Sequence, residues 1–493
     1  MTNRIRLFLQ PMKRVLPGFL LLLSVQLCQA QEKWDLIRCV DHALKNNISV
    51  RQTDLQSRFS ALTYQQSKAA QLPTLNFSSS GSYRFGRSEN PTTGVLEDNN
   101  FFSAGFQLQS QVNIFNWFSQ KRTIEANQLS WEADREQVNK IKNDIALNVA
   151  VAYLQILLAR EQAKLADVQV QQTISQLDNT RKRVDAGTLP ELNAAELEAQ
   201  LARDSSSLVT AQASAQQFIL QMKALLNLDA GADFDVFVPL VDVIPIESLA
   251  DLQPEAVYTL AMSSLPQQKV NSLRIQSAQK SMAAAKAGMY PSISAFGGLG
   301  TNVISFKRAI YSQVLTGYAN SGARVDAGGG TYYPVEVPQF SAGTDVLGYL
   351  KAGSFSNQFS KNFAQSIGIG LSVPIMNGKS ARTAWERSKL SLQSLELDKE
   401  QADMQLKQDI YQAYNDATAA LQKYNADVKS VQTAEKAFDF AQKRYDLNLL
   451  SSYELINSQG NVQRAKIQAL YSRYDYIFKM KLLEFYKGQG LKL

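Results

Sequence analysis

Residues 363–375 read FAQSIGIGLSVPI and residues 102–114 read FSAGFQLQSQVNI; the two stretches stand 261 positions apart, and each feeds a long helical pattern, 379–447 and 119–184. Successive side chains of a strand point to opposite sides, so Phe363, Ile367, Ile369, Leu371 and Val373 share one face and Ala364, Ser366, Gly368, Gly370 and Ser372 the other. In the earlier stretch Phe102, Ala104, Phe106, Leu108, Ser110, Val112 and Ile114 oppose Ser103, Gly105, Gln107, Gln109, Gln111 and Asn113. The apolar parity is the same in both. Placed in register, Val112-Asn113-Ile114-Phe115-Asn116 overlies Val373-Pro374-Ile375-Met376-Asn377, Ala152-Tyr153 overlies Ala413-Tyr414, and Arg183 overlies Arg444. A chain written twice in this way is one architecture repeated.

Such a strand taken alone fits a soluble sheet with its core on one side. It equally fits a barrel strand with lipid outside and water inside, at about 10 residues a crossing. The amino terminus favours the barrel. Lys13 and Arg14 precede the apolar run 15–25, with small Cys28 and Ala30 before Gln31-Glu32, so 1–30 reads as a secretory signal peptide. About 11 apolar residues are too few to span a bilayer. Leu27 stands where a lipidation signal needs a small residue, so no acyl anchor is expected at Cys28. Removing this leader takes away Arg4, Arg6, Lys13 and Arg14 and lowers the formal charge from +7 to +3. Near neutrality makes no case for a nucleic-acid partner. Cys39 is then the one cysteine left, which excludes a cystine-stapled secreted domain. No further run approaches 18 apolar residues, so a membrane crossing would be made by strands.

The expected organisation is a first repeat over 31–228, with strands 74–85 and 102–114 and a helical hairpin over 119–228. A connector follows over 229–253. The second repeat is expected over 254–486, with a continuous helix 255–287, strands 292–304 and 363–375 and a helical hairpin over 379–486, before a tail at 487–493. Between its strands lies an insert, 305–360, rich in Gly, Ser, Tyr and Val, which reads as a long outer surface loop. In the first long helix Val138, Ile141, Ile145, Val149, Ala152, Ile156, Ala159, Ala163, Ala166 and Val170 recur at spacings of three and four, the sevenfold period of helices coiled together. Leu395, Ala402, Leu406, Ile410, Ala413, Ala417, Ala420 and Tyr424 repeat it. Many seam positions are alanine, which lets helices approach closely.

Four strands cannot close a barrel, and edges left open in lipid cost several kcal/mol per unpaired group. Several copies must therefore share one barrel, and two, three or four are arithmetically possible. The expected lipid-facing residues are Phe102, Phe106, Leu108, Val112, Phe363, Ile367, Ile369 and Leu371. Amides and hydroxyls on the opposite face would line a wet lumen.

The duplicated order, Tyr290-Pro291-Ser292 before a strand, Val373-Pro374-Ile375-Met376-Asn377-Gly378 after one and the Arg183-to-Gly187 turn resemble the TolC family of outer-membrane efflux proteins. The resemblance implies a mainly α fold with a membrane β-barrel: four barrel strands per protomer, a homotrimeric 12-stranded barrel and duplicated long helical hairpins forming a periplasmic tunnel. It implies an outer-membrane location, a periplasmic membrane-fusion adaptor and an inner-membrane transporter of the RND or ABC class. The adaptor-docking turns correspond to Arg183, Gly187, Thr188 and Leu189, and to Arg444, Asn448, Leu449 and Leu450. The acidic mouth that narrows some members corresponds to Glu454 and Asn457, the first being equally readable as a helix-start acid. The implied function is a passive exit duct, with type I protein secretion as an alternative and a non-transporting envelope tether as a rival.

Nothing in the chain assembles as catalytic machinery. Cys39 and His42 fall three apart on one helix, too few for a metal site, and Gly328-Gly329-Gly330 lacks the lysine of a phosphate loop. No cofactor, metal or enzymatic activity is expected.

Overall fold

The computed structural model describes residues 33–89, 96–98, 100–238, 248–305, 307–447 and 449–488. The signal segment expected over 1–30, part of the expected connector at 239–247, Asn448 and the end of the expected tail at 489–493 lie outside the described residues. In chain order the helices are α1 (Leu36–Asn46), α2 (Ile48–Ala69), α3 (Ser119–Asp185), α4 (Glu191–Leu226), α5 (Pro254–Ser264), α6 (Pro266–Ala287), α7 (Phe355–Lys361), α8 (Ser380–Asp446) and α9 (Ser452–Tyr486). The strands are β1 (Thr74–Arg84), β2 (Arg87–Glu89), β3 (Leu96–Asp98), β4 (Phe101–Phe115), β5 (Ser292–Ser305), β6 (Lys307–Asp326), β7 (Tyr332–Lys351) and β8 (Ala364–Ser372). The chain divides into two compact units, each drawing on both repeats. The helical unit takes its described residues from Met1–Tyr64, Glu125–Lys280 and Lys389–Leu493, the sheet unit from Gln65–Ile124 and Ser281–Ser388.

In the helical unit the sevenfold seam is where the packing lies. Val149, Ala152, Ile156 and Ala159 of α3 are buried, and so are their repeat equivalents Ile410, Ala413, Ala417 and Ala420 of α8. The α3 seam joins Cys39 and Ala43 of α1, Met222 and Leu226 of α4, and Val236 in one core. The α8 seam joins Val257 and Ala261 of α5 and Met480 and Leu483 of α9 in another. Each long helix has 67 residues and so rises roughly 100 Å. One 18-residue window of α3 is apolar enough to cross a membrane by composition. Its Val149, Leu154, Ile156 and Leu157 are core side chains, which accounts for that composition.

Polar and proline breaks divide the shorter helices. Asn47 separates α1 from α2: its backbone is extended, its amide donates to the Leu225 carbonyl at 2.9 Å, and its Oδ1 accepts from the Ser49 N–H at 2.9 Å. The helix expected without interruption over 255–287 is two helices. Pro266 holds Leu265 at φ −73°, ψ 130°, so α5 stops and α6 starts afresh.

The sheet unit is a four-stranded antiparallel sheet in the order β1-β4-β5-β8. The fourth strand is shorter than the expected 363–375. Phe363 lies before it, and Val373-Pro374 beyond it, since Pro374 has no N–H to give a ladder. The insert differs more. In place of a loop, 307–351 forms the hairpin β6–β7 with two 20-residue strands. Three glycines at positive φ, Gly328, Gly329 and Gly330, make its turn, and Asp326 Oδ1 accepts from the Gly328 N–H at 2.8 Å. Pro334 and Pro338 are tolerated because both strands of a two-stranded ribbon are edges.

Helix α7 lies beside the end of β5 beyond β8. The Gln358 side chain donates to the Ile304 carbonyl at 2.8 Å and accepts its N–H at 2.9 Å, while Asn362 donates to the Asn302 carbonyl at 2.7 Å. These bonds do for the end of β5 what a partner strand does lower down.

Candidate functional site

Residues paired across an antiparallel ladder put their side chains on one face. The registers therefore define each face of the sheet. One has the rows Leu75–Ser110–Gly297–Ile367 and Phe77–Leu108–Leu299–Gln365. The other has Asn76–Gln109–Gly298–Ser366 and Ser78–Gln107–Gly300–Ala364. An apolar face and an amide, hydroxyl and glycine face thus run across all four strands. Of the expected lipid-facing residues, Ile367 is 93% exposed, and Ile369 and Leu371 are also largely bare. Phe102 and Phe363 are exposed to a lesser degree, whereas Phe106, Leu108 and Val112 are half-buried. Phe106 differs from the open face expected of it: Phe355 and Phe359 of α7 pack edge-on against it at 6.2 and 5.7 Å.

Aromatic clusters flank the apolar band. At one end Phe115 packs on Trp117 and Phe118 at 5.5 and 5.7 Å, and Trp117 on Tyr290 at 5.1 Å. At the other, Tyr83 packs on Phe85 at 4.7 Å. The strand-to-helix corner is the same backbone in both repeats. Trp117 and Phe118 have φ of 53° and 62°, and their equivalents Gly378 and Lys379 have 60° and 62°. Non-glycine side chains in that region cost about 1 kcal/mol each. Aromatic rings held there at the end of a strand match the girdles of membrane barrels.

The hairpin ends of the helical unit repeat as well. The Thr188 N–H donates to the Arg183 carbonyl at 2.9 Å and the Leu449 N–H to the Arg444 carbonyl at 2.8 Å, the same helix-ending bond in each copy. Gly187 takes the φ of 74° that this cap requires; its equivalent, Asn448, lies outside the described residues. Side chains tie one hairpin to the other: the hydroxyls of Thr180 and Tyr445 lie 2.9 Å apart, Ser452 donates to Glu196 at 2.5 Å, and Arg183 lies 5.5 Å over the Tyr445 ring.

Glu454 closes a capping box with Ser451: the Glu454 N–H donates to the serine hydroxyl, and the carboxylate accepts the Ser451 N–H, both at 3.2 Å. Asn457, three residues on, is exposed like Glu454. Cys39 is sealed in the α3 core with its thiol pushed up to about 12, chiefly by burial, and His42 packs edge-on against Trp34 at 5.0 Å. Among the described residues no group of three or more His, Cys, Asp or Glu is placed to hold a metal.

Residues 39–228 match the family model described as outer membrane efflux protein. The outer membrane protein TolC of Escherichia coli strain K12 is 19% identical over 479 residues, which cover 94% of this chain and 84% of that one. Over residues 39–228 the chain carries the outer membrane efflux protein pattern, and along most of its length it resembles TolC. Its place is the Gram-negative outer membrane. Two solved structures share the fold. CusC superposes with a TM-score of 0.72 at 16% identity, covering 94% of this chain and 93% of its own. The outer membrane protein VceC from Vibrio cholerae gives 0.70 at 14% identity, covering 93% and 97%.

Sequence reading missed one feature of this TolC-like chain. Leu390, Leu397 and Met404 stand seven apart on α8 and are 62–66% exposed, and Ile48, Leu55 and Leu62 stand seven apart on α2, also more than half exposed. These are apolar stripes at sevenfold spacing that lie exposed on their helices. The signal was present as a second sevenfold series beside the one read as the seam.

Proposed function

We propose that the chain is the passive exit duct of a tripartite export system, carrying small molecules across the outer membrane. Three copies would close one 12-stranded barrel, with their long helices forming a tunnel in the periplasm. The observation that carries this reading is a coincidence of unmet surfaces. The sheet ends in two open edges, β1 and β8, and the helices that the chain joins to them, α2 and α8, carry the bare stripes. β1 and β8 run in opposite directions, so β8 of one copy can pair antiparallel with β1 of the next. In the same ring the α8 stripe of one copy is proposed to meet the α2 stripe of a neighbouring copy. Head-to-tail contacts of this kind close a ring.

The test is reconstitution of detergent-extracted full-length protein in planar bilayers, with its mass measured in parallel. Discrete conductance steps from a particle of three copies are expected; a monomer that gives no conductance contradicts the duct.

We assign Glu454 and Asn457 to the periplasmic mouth, and the paired turns at 183–189 and 444–450 to the adaptor. The capping box makes the first assignment testable, because glutamine serves as well as glutamate at the third helical position. Glu454→Gln is expected to leave thermal unfolding within about 0.5 kcal/mol of the parent, while lowering cation over anion selectivity of the channel. Glu454→Ala, which also breaks the box, is expected to cost a further 1 kcal/mol or so. Unchanged selectivity in the glutamine variant removes Glu454 from the pore.

A further inference from the structure

We propose that Phe296 is a contact point for aromatic organic cations on the wet face of the sheet, where Gly368 makes room for its ring; this rests on the duct reading. The polar face carries Phe101, Phe296 and Ile304 among its amides and hydroxyls. Phe101 and Ile304 are buried, but Phe296 stays 43% exposed. Its ring leans from β5 across β8. A Cβ added at Gly368 would lie 2.6 Å from the ring Cζ and 3.0 Å from Cε2, and one at Gly370 3.8 Å from Cε1. No residue with a side chain could stand at 368 without displacing the ring.

The first repeat shows that the sheet does not need this aromatic. At separations of 218 and 261, Ser78 and Gln107 take the places of Phe296 and Gly368. Each couple is directly paired, Ser78 with Gln107 across β1 and β4, and Phe296 with Gly368 across β5 and β8. One repeat therefore holds the same ladder with a hydroxyl and an amide, while the other exchanges them for an exposed ring on bare backbone. On a wall of amides such a ring adds a π surface, which favours aromatic organic cations over aliphatic ions of equal charge. Gln111, the neighbour of Phe296 on β4, sets an amide beside it.

The experiment is single-channel block of the reconstituted full-length protein by tetraphenylphosphonium, with tetrabutylammonium as the aliphatic cation of the same charge. The parent channel is expected to hold the aromatic cation longer. Installing the first repeat's pair, Phe296→Ser with Gly368→Gln, is expected to shorten the tetraphenylphosphonium dwell about threefold to tenfold and the tetrabutylammonium dwell by a smaller factor, since the aliphatic cation meets the ring by charge alone and has no ring of its own to pack on it. Phe296→Leu keeps an apolar cover over Gly368 without a π face and is expected to shorten the aromatic dwell as well. Parent-like block in either variant overturns the proposal and leaves the ring as a cover for Gly368. A conducting parent that does not prefer the aromatic cation overturns this proposal alone; a parent that never conducts overturns the duct reading together with it.

Discussion

Ile367→Lys is expected to abolish stable outer-membrane assembly, although the side chain it replaces touches almost nothing in the single chain. At 93% exposure, Ile367 would tolerate the change within about 0.5 kcal/mol if its surroundings were water. In lipid the same lysine costs about 2–4 kcal/mol at mid-depth. A ring of three copies incurs that cost three times, comparable to the whole stability of a domain. Position 367 falls in the middle of the described span of β8, in the row with Leu75, so the lysine cannot easily snorkel to an interface. Ser366→Lys, one residue away on the polar face, is the control. It is expected to assemble normally and to weaken cation conductance. The measurement is the amount of heat-resistant oligomer in the outer-membrane fraction. An Ile367→Lys protein as abundant and as assembled as the parent would place this face in water.

The sheet and the seam were open to sequence reasoning because each rests on a period that survives in both repeats. Alternation fixed which residues of β4 and β8 share a face, and the ladder registers place them there. Spacings of three and four picked out Val149, Ala152, Ile410 and Ala413, all buried. Where composition stood in for period, the reading was poorer. The glycine, serine, tyrosine and valine content of 305–360 reads as a loop, but tyrosine and valine suit extended chain, and a two-stranded ribbon admits proline on either strand. Helix α7 is too short, at seven residues, to show a period at all, so the cover that Phe355 and Phe359 give Phe106 had no signal. Pro266 marks the break between α5 and α6, a signal that the reading of 255–287 as one helix passes over. At the hairpin ends, Ser451 with Glu454 three residues later is the sequence mark of a helix start, and the structure builds that cap. Whether the same carboxylate faces a pore depends on neighbouring copies, which no pattern within one chain encodes.

The same limit explains the bare stripes and sets the last expectation. A heptad series says that a helix face needs a partner without saying which chain supplies it. Leu390→Lys with Leu397→Lys is expected to leave the helices of each copy intact and to prevent the copies from joining. Both leucines are about two-thirds exposed at 64% and 66%, so their loss removes little from the single chain. Buried against a neighbour, each contributes about 1.5–3 kcal/mol. The pair is therefore worth roughly 3–6 kcal/mol per contact, a factor of at least a hundred in association at each of three seams. Far-UV circular dichroism should match the parent, while light scattering in detergent should report one copy per particle. Leu55→Lys on α2, across the proposed contact, should have the same effect, because a head-to-tail ring buries each stripe once per seam. The leucines on α8 and the leucine on α2 are all more than half exposed in the single chain, so loss of assembly from both sides is hard to produce unless the stripes meet between copies. If the α8 double variant still forms the parent oligomer, the stripe is ordinary surface and the ring must be held by its strands alone.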